Sequence, residues 1–350
     1  MRNVSRETFT VVPMNEVACA QQESSRSNSD RVYRGSAHGK IILMGEHSAV
    51  YAKPAIVLPL SEASITATVT DMETECLDSS GVRLDCEYYV GKLSKAPENL
   101  RNIQELVVVL RNDFSIDGGI SISITSSIPR ERGMGSSAAV AVAIIRACAA
   151  YAHYSLTPDE LFHYTQISEN IAHAHASGMD AVAVSAESAI WFQQGEEVST
   201  LHFSTPAVLV AADTGVTGAT KEAVSDVHRL LYEDDDVVRN RAHRDIERLA
   251  DLSIAAKRAL QENDMTSLGA HMNEAQEILS TLTVSSGELD SLIQTARGAG
   301  ALGAKLTGGG RGGCMIALAR DKAHAHSIIT ALESAGAVRT WTVNLTSPSK

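Results

Sequence analysis

Residues 129–139, P-R-E-R-G-M-G-S-S-A-A, constrain this 350-residue chain more than any other stretch. They follow an alternating apolar run, Ile120, Ile122 and Ile124, and they lead into an apolar helical pattern over residues 138–151. A strand, a glycine-rich turn and a helix in this order direct backbone N–H groups and a positive helix end toward an anion. The glycines let the backbone come close to that anion, because no Cβ is in the way. We therefore expect a phosphate-bearing ligand here.

The candidate phosphate cradle consists of five consecutive residues, Gly133, Met134, Gly135, Ser136 and Ser137. The two serine hydroxyls can cap the helix, bind phosphate oxygens or hold a cation. An ordinary capped helix after a glycine turn is the alternative interpretation, since serine is common at helix starts. The stretch is not a Walker A loop, because no G-x-x-x-x-G-K-[ST] string is present.

Composition narrows the class of protein. With 44% hydrophobic and 21% charged residues, the chain is typical of a globular protein with about two domains. Its net charge of -12 argues against nucleic acid or an anionic membrane as a partner. Five scattered cysteines without a C-x-x-C pair indicate a reducing compartment, so we expect a cytoplasmic protein. No apolar stretch reaches the ~18 residues of a membrane span.

Periodicity and turn residues predict the elements. Residues 1–32 are predicted to be a polar, poorly ordered leader. The acidic run over residues 233–236 is predicted to be a solvated loop. Helices are predicted over residues 99–112, 157–173, 244–263, 265–282, 289–299 and 323–335, and strands over residues 41–43, 55–60, 63–69, 190–192, 198–203, 207–212 and 338–345.

Several single residues have both a structural and a functional interpretation. Lys40 beside an apolar strand is a snorkelling surface lysine or a fixed cation for a phosphate. Glu169 falls inside the apolar arc of its helix, where a carboxylate needs a salt bridge or a metal ion. Asp180 is a turn aspartate or a functional carboxylate. Thr220 caps the helix that follows it or contacts a ligand. The histidines His163, His173 and His175 show no recognised metal-ligand spacing.

A second glycine-rich stretch lies near the C-terminus, over residues 305–314, K-L-T-G-G-G-R-G-G-C. Gly308, Gly310 and Gly313 formally satisfy G-x-G-x-x-G. An apolar strand pattern follows in place of a helix, so the context of a dinucleotide-binding fingerprint is missing. The stretch is instead predicted to be a backbone loop that packs closely on another group.

Three strings, in this order along the chain, carry a resemblance to a known family. They are A-H-G-K-I-I-L-M-G-E-H-S-A-V-Y-A-K-P-A-I, then I-P-R-E-R-G-M-G-S-S-A-A-V-A-V-A, and then K-L-T-G-G-G-R-G-G-C-M-I-A-L-A. Together they resemble the three motifs of the GHMP small-molecule kinases, from about residue 36 to the C-terminal strand. The first string and D-T-G-V-T-G-A-T-K-E-A-V are most similar to those of the mevalonate kinases within that family.

The resemblance implies an α+β fold with two domains and an activity. An N-terminal α/β domain over residues 33–200 would precede a ferredoxin-like C-terminal domain over residues 201–350. The protein would be a monomer or homodimer that uses ATP and Mg²⁺ to phosphorylate the 5-hydroxyl of mevalonate. Another GHMP kinase, for phosphomevalonate or a sugar, and a non-catalytic ligand sensor on the same fold stay open as alternatives.

The resemblance also implies a role for each matching residue. Asp180 would be the catalytic base and Lys40 would lie beside it and the transferred phosphoryl group. Mg²⁺ would be held by Ser137 and Glu169. ATP phosphates would be bound by Gly133, Met134, Gly135, Ser136, Ser137, Gly308, Gly309 and Gly310, and mevalonate by Glu46, His47 and Thr220.

Two positions depart from the family pattern, since glycine is frequent in the family at both. Glu131 brings a carboxylate toward the phosphates unless its side chain points away. Arg311 interrupts the C-terminal glycine run, where it would either add a phosphate contact or block a close approach.

Overall fold

The structure, a computed structural model, describes residues 31–72, 81–172 and 177–346. Residues 1–30 of the predicted leader lie outside the described residues, as do His173 and His175. In the part that the structure describes, no helix is both long and apolar enough to cross a membrane.

The described residues form both helices and strands. The strands are β1 Val32–Met44, β2 Ala55–Asp71, β3 Val82–Cys86, β4 Tyr89–Lys92, β5 Ile120–Ser126, β6 Ile190–Phe192, β7 Ser199–Thr200, β8 Ser204–Asp213, β9 Gly303–Thr307, β10 Cys314–Ala319 and β11 Arg339–Thr346. The helices are α1 Arg101–Asp113, α2 Ser136–Tyr151, α3 Pro158–Ala172, α4 Met179–Ala183, α5 Thr220–Leu231, α6 Asp236–Gln261, α7 Met265–Thr281, α8 Gly287–Gly298 and α9 Lys322–Ser334.

The chain divides into two compact units, each built from several chain segments. Of the described residues, the first contains 31–36, 66–72, 81–125 and 140–172. In it, β3 pairs in parallel with β5 and antiparallel with β4. Helix α1 packs on α3 and buries one apolar face, formed by Ile103, Leu106, Val107 and Leu110. This is the face that the helical spacing of the sequence predicts.

Of the described residues, the second unit contains 37–65, 126–139 and 177–346. Its four-stranded antiparallel sheet has the order β11-β8-β10-β9. Helices α7 and α8 contact β9, and α9 contacts β8. With α5–α8 between β8 and β9, and α9 between β10 and β11, this is a β-α-β-β-α-β arrangement. The expected ferredoxin-like C-terminal fold is therefore confirmed.

Helix α6 corrects one sequence prediction. It begins at Asp236, well before residue 244, so the acidic run is not simply a solvated loop. The Asp235 side chain caps the helix by accepting hydrogen bonds from the N–H groups of Val237 and Val238. Acidic residues at this end also interact favourably with the helix dipole. Residues 234–236 are exposed, as predicted, but Asp235 and Asp236 also form the start of α6.

Two strand predictions also need correction. The strands expected over residues 55–60 and 63–69 are one continuous strand, β2. Its polar midpoint stays extended, and the Glu62 carboxylate there accepts hydrogen bonds from the backbone N–H and the hydroxyl of Thr342 on β11. The β3–β4 hairpin lies in a region that the sequence pattern left unassigned, because only Val82 and Leu84 alternate as buried apolar residues.

Candidate active site

Lys40 and Asp180 form an ion pair in the second unit. Lys40 lies on β1, and its Nζ is 3.0 Å from Oδ1 of Asp180 on α4. The lysine side chain is only 4% exposed, whereas the aspartate side chain is 34% exposed. A buried ammonium group thus holds a carboxylate that solvent or a ligand can reach. The snorkelling interpretation of Lys40 is wrong, because its side chain does not extend into water.

The glycine turn before α2 packs directly against this pair. The Lys40 N–H donates a 3.0 Å hydrogen bond to the carbonyl oxygen of Met134. Gly135 has a φ of +72°, and a Cβ there would lie 3.0 Å from Cγ of Lys40 and 2.9 Å from Cγ1 of Val184. A glycine is therefore required at this position both by the backbone conformation and by the close approach of Lys40.

Helix α2 begins at Ser136, immediately after that turn. The N–H groups in the first turn of an α-helix lack partners within the helix and carry the positive end of its dipole. Ser136 and Ser137 are partly buried there, and the Met134 side chain is fully buried, with its sulfur 3.7 Å from Sγ of Cys314. The geometry suits an anion beside the turn, with the Lys40 ammonium on the adjoining strand.

The second glycine loop, residues 308–313, connects β9 to β10 and contacts the first loop. A Cβ on Gly308 would lie 2.8 Å from Cα of Gly133, and a Cβ on Gly133 would lie 3.0 Å from Cα of Gly308. Two backbones can come this close only where neither residue has a side chain. The predicted close packing of this loop is confirmed, and its partner is the other glycine loop.

His47 and Thr220 meet the second loop at Gly309. The Nε2 of His47 donates a 3.1 Å hydrogen bond to the Gly309 carbonyl oxygen. Burial lowers the pKa of His47 to about 4, so the imidazole is neutral near pH 7. On the other side, a Cβ at Gly309 would lie 2.2 Å from Oγ1 of Thr220. Thr220 is not the helix cap, because α5 begins at this residue and the N-cap position is Ala219.

Glu46 pairs with a residue that the sequence did not reveal, Lys305 on β9. The two side chains form an ion pair and are almost completely buried, and the ammonium group also donates to the Leu306 carbonyl oxygen at 2.7 Å. Burial raises the pKa of Glu46 and lowers the pKa of Lys305. The one signal in the sequence is a lysine within an apolar strand, which also fits a snorkelling residue.

A segment between β8 and α5, residues 213–218, contacts both glycine loops; we call it the bridging segment. Arg132 donates to its Asp213 Oδ1 at 2.8 Å and to its Gly215 carbonyl oxygen at 2.9 Å. On the other side, the Gly313 N–H donates to the Val216 carbonyl oxygen at 2.7 Å, and the Gly313 carbonyl oxygen accepts from Thr214 N–H at 3.0 Å. No local pattern in the sequence singles out Asp213 or Arg132.

The two departures from the family pattern have different structural roles. Glu131 is exposed, and its carbonyl oxygen accepts a 2.7 Å hydrogen bond from Gly218 N–H. The Arg311 guanidinium is 2.6 Å from Asp226 Oδ2 and donates to Thr283. Its donors are thus directed at the protein.

Glu169 and Ser137 are the residues expected to hold Mg²⁺. Glu169 lies on α3 and is buried, at 3% exposure, and Ser137 is partly buried at the start of α2. A carboxylate and a hydroxyl are oxygen donors of the kind Mg²⁺ prefers. No group of three or more His, Cys, Asp or Glu side chains able to hold a metal occurs within residues 31–72, 81–172 and 177–346.

Comparison with known proteins identifies the family. The model for the GHMP kinases N terminal domain matches residues 101–187, and the model for the GHMP kinases C terminal matches residues 256–338. The mevalonate kinase of Pyrococcus abyssi is 33% identical over 327 residues, covering 87% of this chain and 93% of that protein. The mevalonate kinase of Thermococcus sibiricus is 34% identical over 315 residues, covering 86% and 92%.

This chain belongs to the mevalonate kinases of the GHMP kinase family. Solved structures agree with that assignment. The L. major mevalonate kinase in complex with R-mevalonate matches with a TM-score of 0.76 and 26% identity, covering 91% of this chain and 97% of that one. The mevalonate kinase of methicillin-resistant Staphylococcus aureus MRSA252 matches with a TM-score of 0.68 and 31% identity, covering 91% and 100%. The two-domain GHMP kinase fold expected from the sequence is thereby confirmed.

Proposed function

We propose that this protein transfers the γ-phosphoryl group of ATP to the 5-hydroxyl of mevalonate, giving 5-phosphomevalonate and ADP. The assignment is supported by mevalonate kinase relatives that match over most of their length. The observation that carries the mechanism is the Lys40–Asp180 ion pair, which lies directly against Gly135 of the glycine turn.

Phosphoryl transfer depends mainly on positioning and on stabilising negative charge. We assign the ATP phosphates to the N–H groups and hydroxyls at the start of α2, Ser136 and Ser137, and to the facing loop at Gly308, Gly309 and Gly310. Lys40 neutralises charge on the transferred group. Because Lys40 is buried and its carboxylate partner is partly exposed, the cation is fixed in place while Asp180 can meet the substrate.

The reaction then follows from the position of Asp180. The 5-hydroxyl oxygen of mevalonate forms a bond to the γ-phosphorus, while the bond from that phosphorus to the bridging oxygen breaks and ADP leaves with the electron pair. Asp180 accepts the hydroxyl proton as the new bond forms. Ser137 and Glu169 would hold Mg²⁺, which neutralises charge on the ATP phosphates when bound.

We assign the mevalonate pocket to Glu46, His47 and Thr220. Neutral His47 and the Thr220 hydroxyl both approach Gly309, so they lie at the second glycine loop. Glu46 is buried in its ion pair with Lys305. We infer that this pair stabilises the pocket by fixing the position of His47, the next residue in the chain.

The test is steady-state ADP release with ATP, Mg²⁺ and a panel of acceptors: mevalonate, phosphomevalonate, homoserine and galactose. The expected result is release that depends on mevalonate alone. If another acceptor supports faster turnover, the substrate assignment is wrong, although the phosphate-binding loops keep their roles. If nothing turns over while ATP still binds, the protein is a ligand sensor on a kinase fold.

A further inference from the structure

Arg311 adopts a backbone conformation that normally belongs to glycine. Its φ is +55°, within a loop whose residues Gly308, Gly310, Gly312 and Gly313 also have positive φ. An L-residue with a side chain is strained in this region, and such strain persists only where surrounding contacts enforce it. The side chain of Arg311 must therefore form interactions that compensate for the backbone conformation.

Those interactions connect the loop to two other parts of the second unit. The Arg311 N–H donates to the Val284 carbonyl oxygen at 2.8 Å, and Nε donates to the Thr283 carbonyl oxygen at 3.1 Å. Nη2 donates to Thr283 Oγ1 at 3.3 Å. On the other side, Nη1 lies 2.6 Å from Oδ2 of Asp226, and both side chains of this pair are partly buried, at 26% and 29% exposure.

Asp226 places this ion pair on α5, the helix that begins with Thr220. Thr220 itself packs against Gly309, two residues before Arg311 in the same loop. Helix α5 therefore contacts the second glycine loop at two points, which are six residues, or about 9 Å, apart along the helix axis. These two contacts add to the packing of α5 on α6 and hold its first turns against the loop.

We propose that Arg311 is a positioning residue, which acts through Asp226 to hold α5 so that the Thr220 hydroxyl stays in place for substrate binding. This inference rests on the proposed function, since it takes Thr220 as a mevalonate contact. It also explains why this chain has arginine where glycine would be less strained. In this role the guanidinium group acts on Asp226 and Thr283, the residues that it contacts.

The experiment compares Arg311→Gly, Asp226→Asn and the double variant with the wild type. Glycine accepts the positive φ, so Arg311→Gly removes the side chain without straining the loop. Arg229→Gln is the matched control, because Arg229 also pairs with Asp226 but lies on α5 itself and does not join the helix to the loop. Arg311→Lys tests whether the charge alone is sufficient.

Two readouts separate positioning from general stability. The first is KM for mevalonate and for ATP together with kcat, and the second is hydrogen–deuterium exchange of the amides in α5. We expect Arg311→Gly and Asp226→Asn each to raise KM for mevalonate about fivefold to tenfold and to speed exchange in the first turns of α5. The KM for mevalonate and the exchange of α5 in the double variant should be no higher than in either single variant. Arg311→Lys should give values between those of the wild type and those of Arg311→Gly. Tm should stay within about 3 °C of the wild type.

The inference is overturned if Arg311→Gly leaves both KM for mevalonate and the exchange of α5 unchanged. It is also overturned if Arg229→Gln has the same effect as Arg311→Gly, because charge near Asp226 would then explain the result. Wild-type turnover distinguishes this failure from failure of the proposed function: without mevalonate-dependent ADP release by the wild type, it is the substrate assignment that is wrong.

Discussion

His47 shows how one buried side chain makes stability depend on pH. Burial lowers its pKa from the usual 6.5 to about 4 in the folded protein. Above pH 6.5 the imidazole is neutral in both the folded and the unfolded state, so its hydrogen bond to Gly309 contributes fully. Between pH 6.5 and 4 the unfolded chain binds a proton that the folded protein does not, so stability falls as pH falls. The change is on the order of 3 kcal/mol over this range.

We predict that His47→Gln removes this component of the pH dependence. Glutamine has an uncharged N–H donor of similar reach for the Gly309 carbonyl oxygen, and it does not titrate. The measurement is urea unfolding of both proteins at several pH values from 7.5 to 4.5. The unfolding free energy of the wild type minus that of His47→Gln should shrink or change sign toward low pH, because only the wild type loses the contribution of His47. Glu46, Lys305 and Arg311 are common to both proteins, so their contributions cancel in this difference. A difference that is independent of pH would show that His47 is not held neutral.

The second prediction at the level of single residues concerns the Glu46–Lys305 ion pair. Lys305→Met leaves a buried carboxylate without its cation, so we expect a loss of about 3–5 kcal/mol in unfolding free energy. Adding Glu46→Gln removes the stranded charge, and the double variant should recover a large part of that loss. Urea unfolding of the two single variants and the double variant near pH 7 gives the coupling. Additive losses would mean that the two buried side chains do not depend on each other.

At the level of elements, the two glycine loops form a single assembly around β1, the start of α2 and the β9–β10 connection. Each loop needs glycine for a different reason: Gly133 and Gly308 because two backbones meet, and Gly135 because Lys40 packs on it. The bridging segment then contacts both loops through Asp213, Val216 and neighbouring residues. A change in one loop should therefore affect the other.

Gly135→Ala tests the contact with Lys40, and Gly195→Ala is its control. Both glycines have positive φ, +72° and +87°, but a Cβ at Gly195 would meet nothing within 4 Å. Alanine at either site should therefore cost about 1 kcal/mol of stability through its backbone conformation. Only Gly135→Ala should also displace Lys40, lowering kcat about 100-fold. Steady-state kinetics of both variants gives kcat, and thermal unfolding gives the change in stability. Equal kcat values for the two variants would show that Lys40 tolerates the added methyl group.

At the level of the whole molecule, the sequence predicts helices and turns well where spacing and turn residues within the element determine them. The buried face of α1 and the turn before α2 follow from spacing and turn residues. Element boundaries were less accurate where a polar residue has a structural partner far away in the chain. Glu62 keeps β2 continuous by binding Thr342 on β11, which no local pattern reveals.

The residues of the candidate site also fall into two groups, those that a local pattern reveals and those that depend on a distant partner. Glycine loops are visible in the sequence because their requirement for glycine is local. The Lys40–Asp180 pair joins residues that are far apart in sequence, and only the resemblance to a family suggested it. Lys305, Arg132 and Asp213 were missed because each is an ordinary charged residue until the fold buries it beside a partner. Long-range pairing of single charges leaves no periodic signal in one sequence.

The most direct test of the account is kcat for ADP release with mevalonate, compared between the wild type and Asp180→Asn. Asparagine has nearly the same shape as aspartate but cannot accept the hydroxyl proton, and ATP binding, measured by titration in the same samples, should persist. We predict a fall in kcat of about 10³-fold or more with similar ATP affinity. A variant that turns over mevalonate at nearly the wild-type rate would contradict the assignment of Asp180 and the mechanism built on its pair with Lys40.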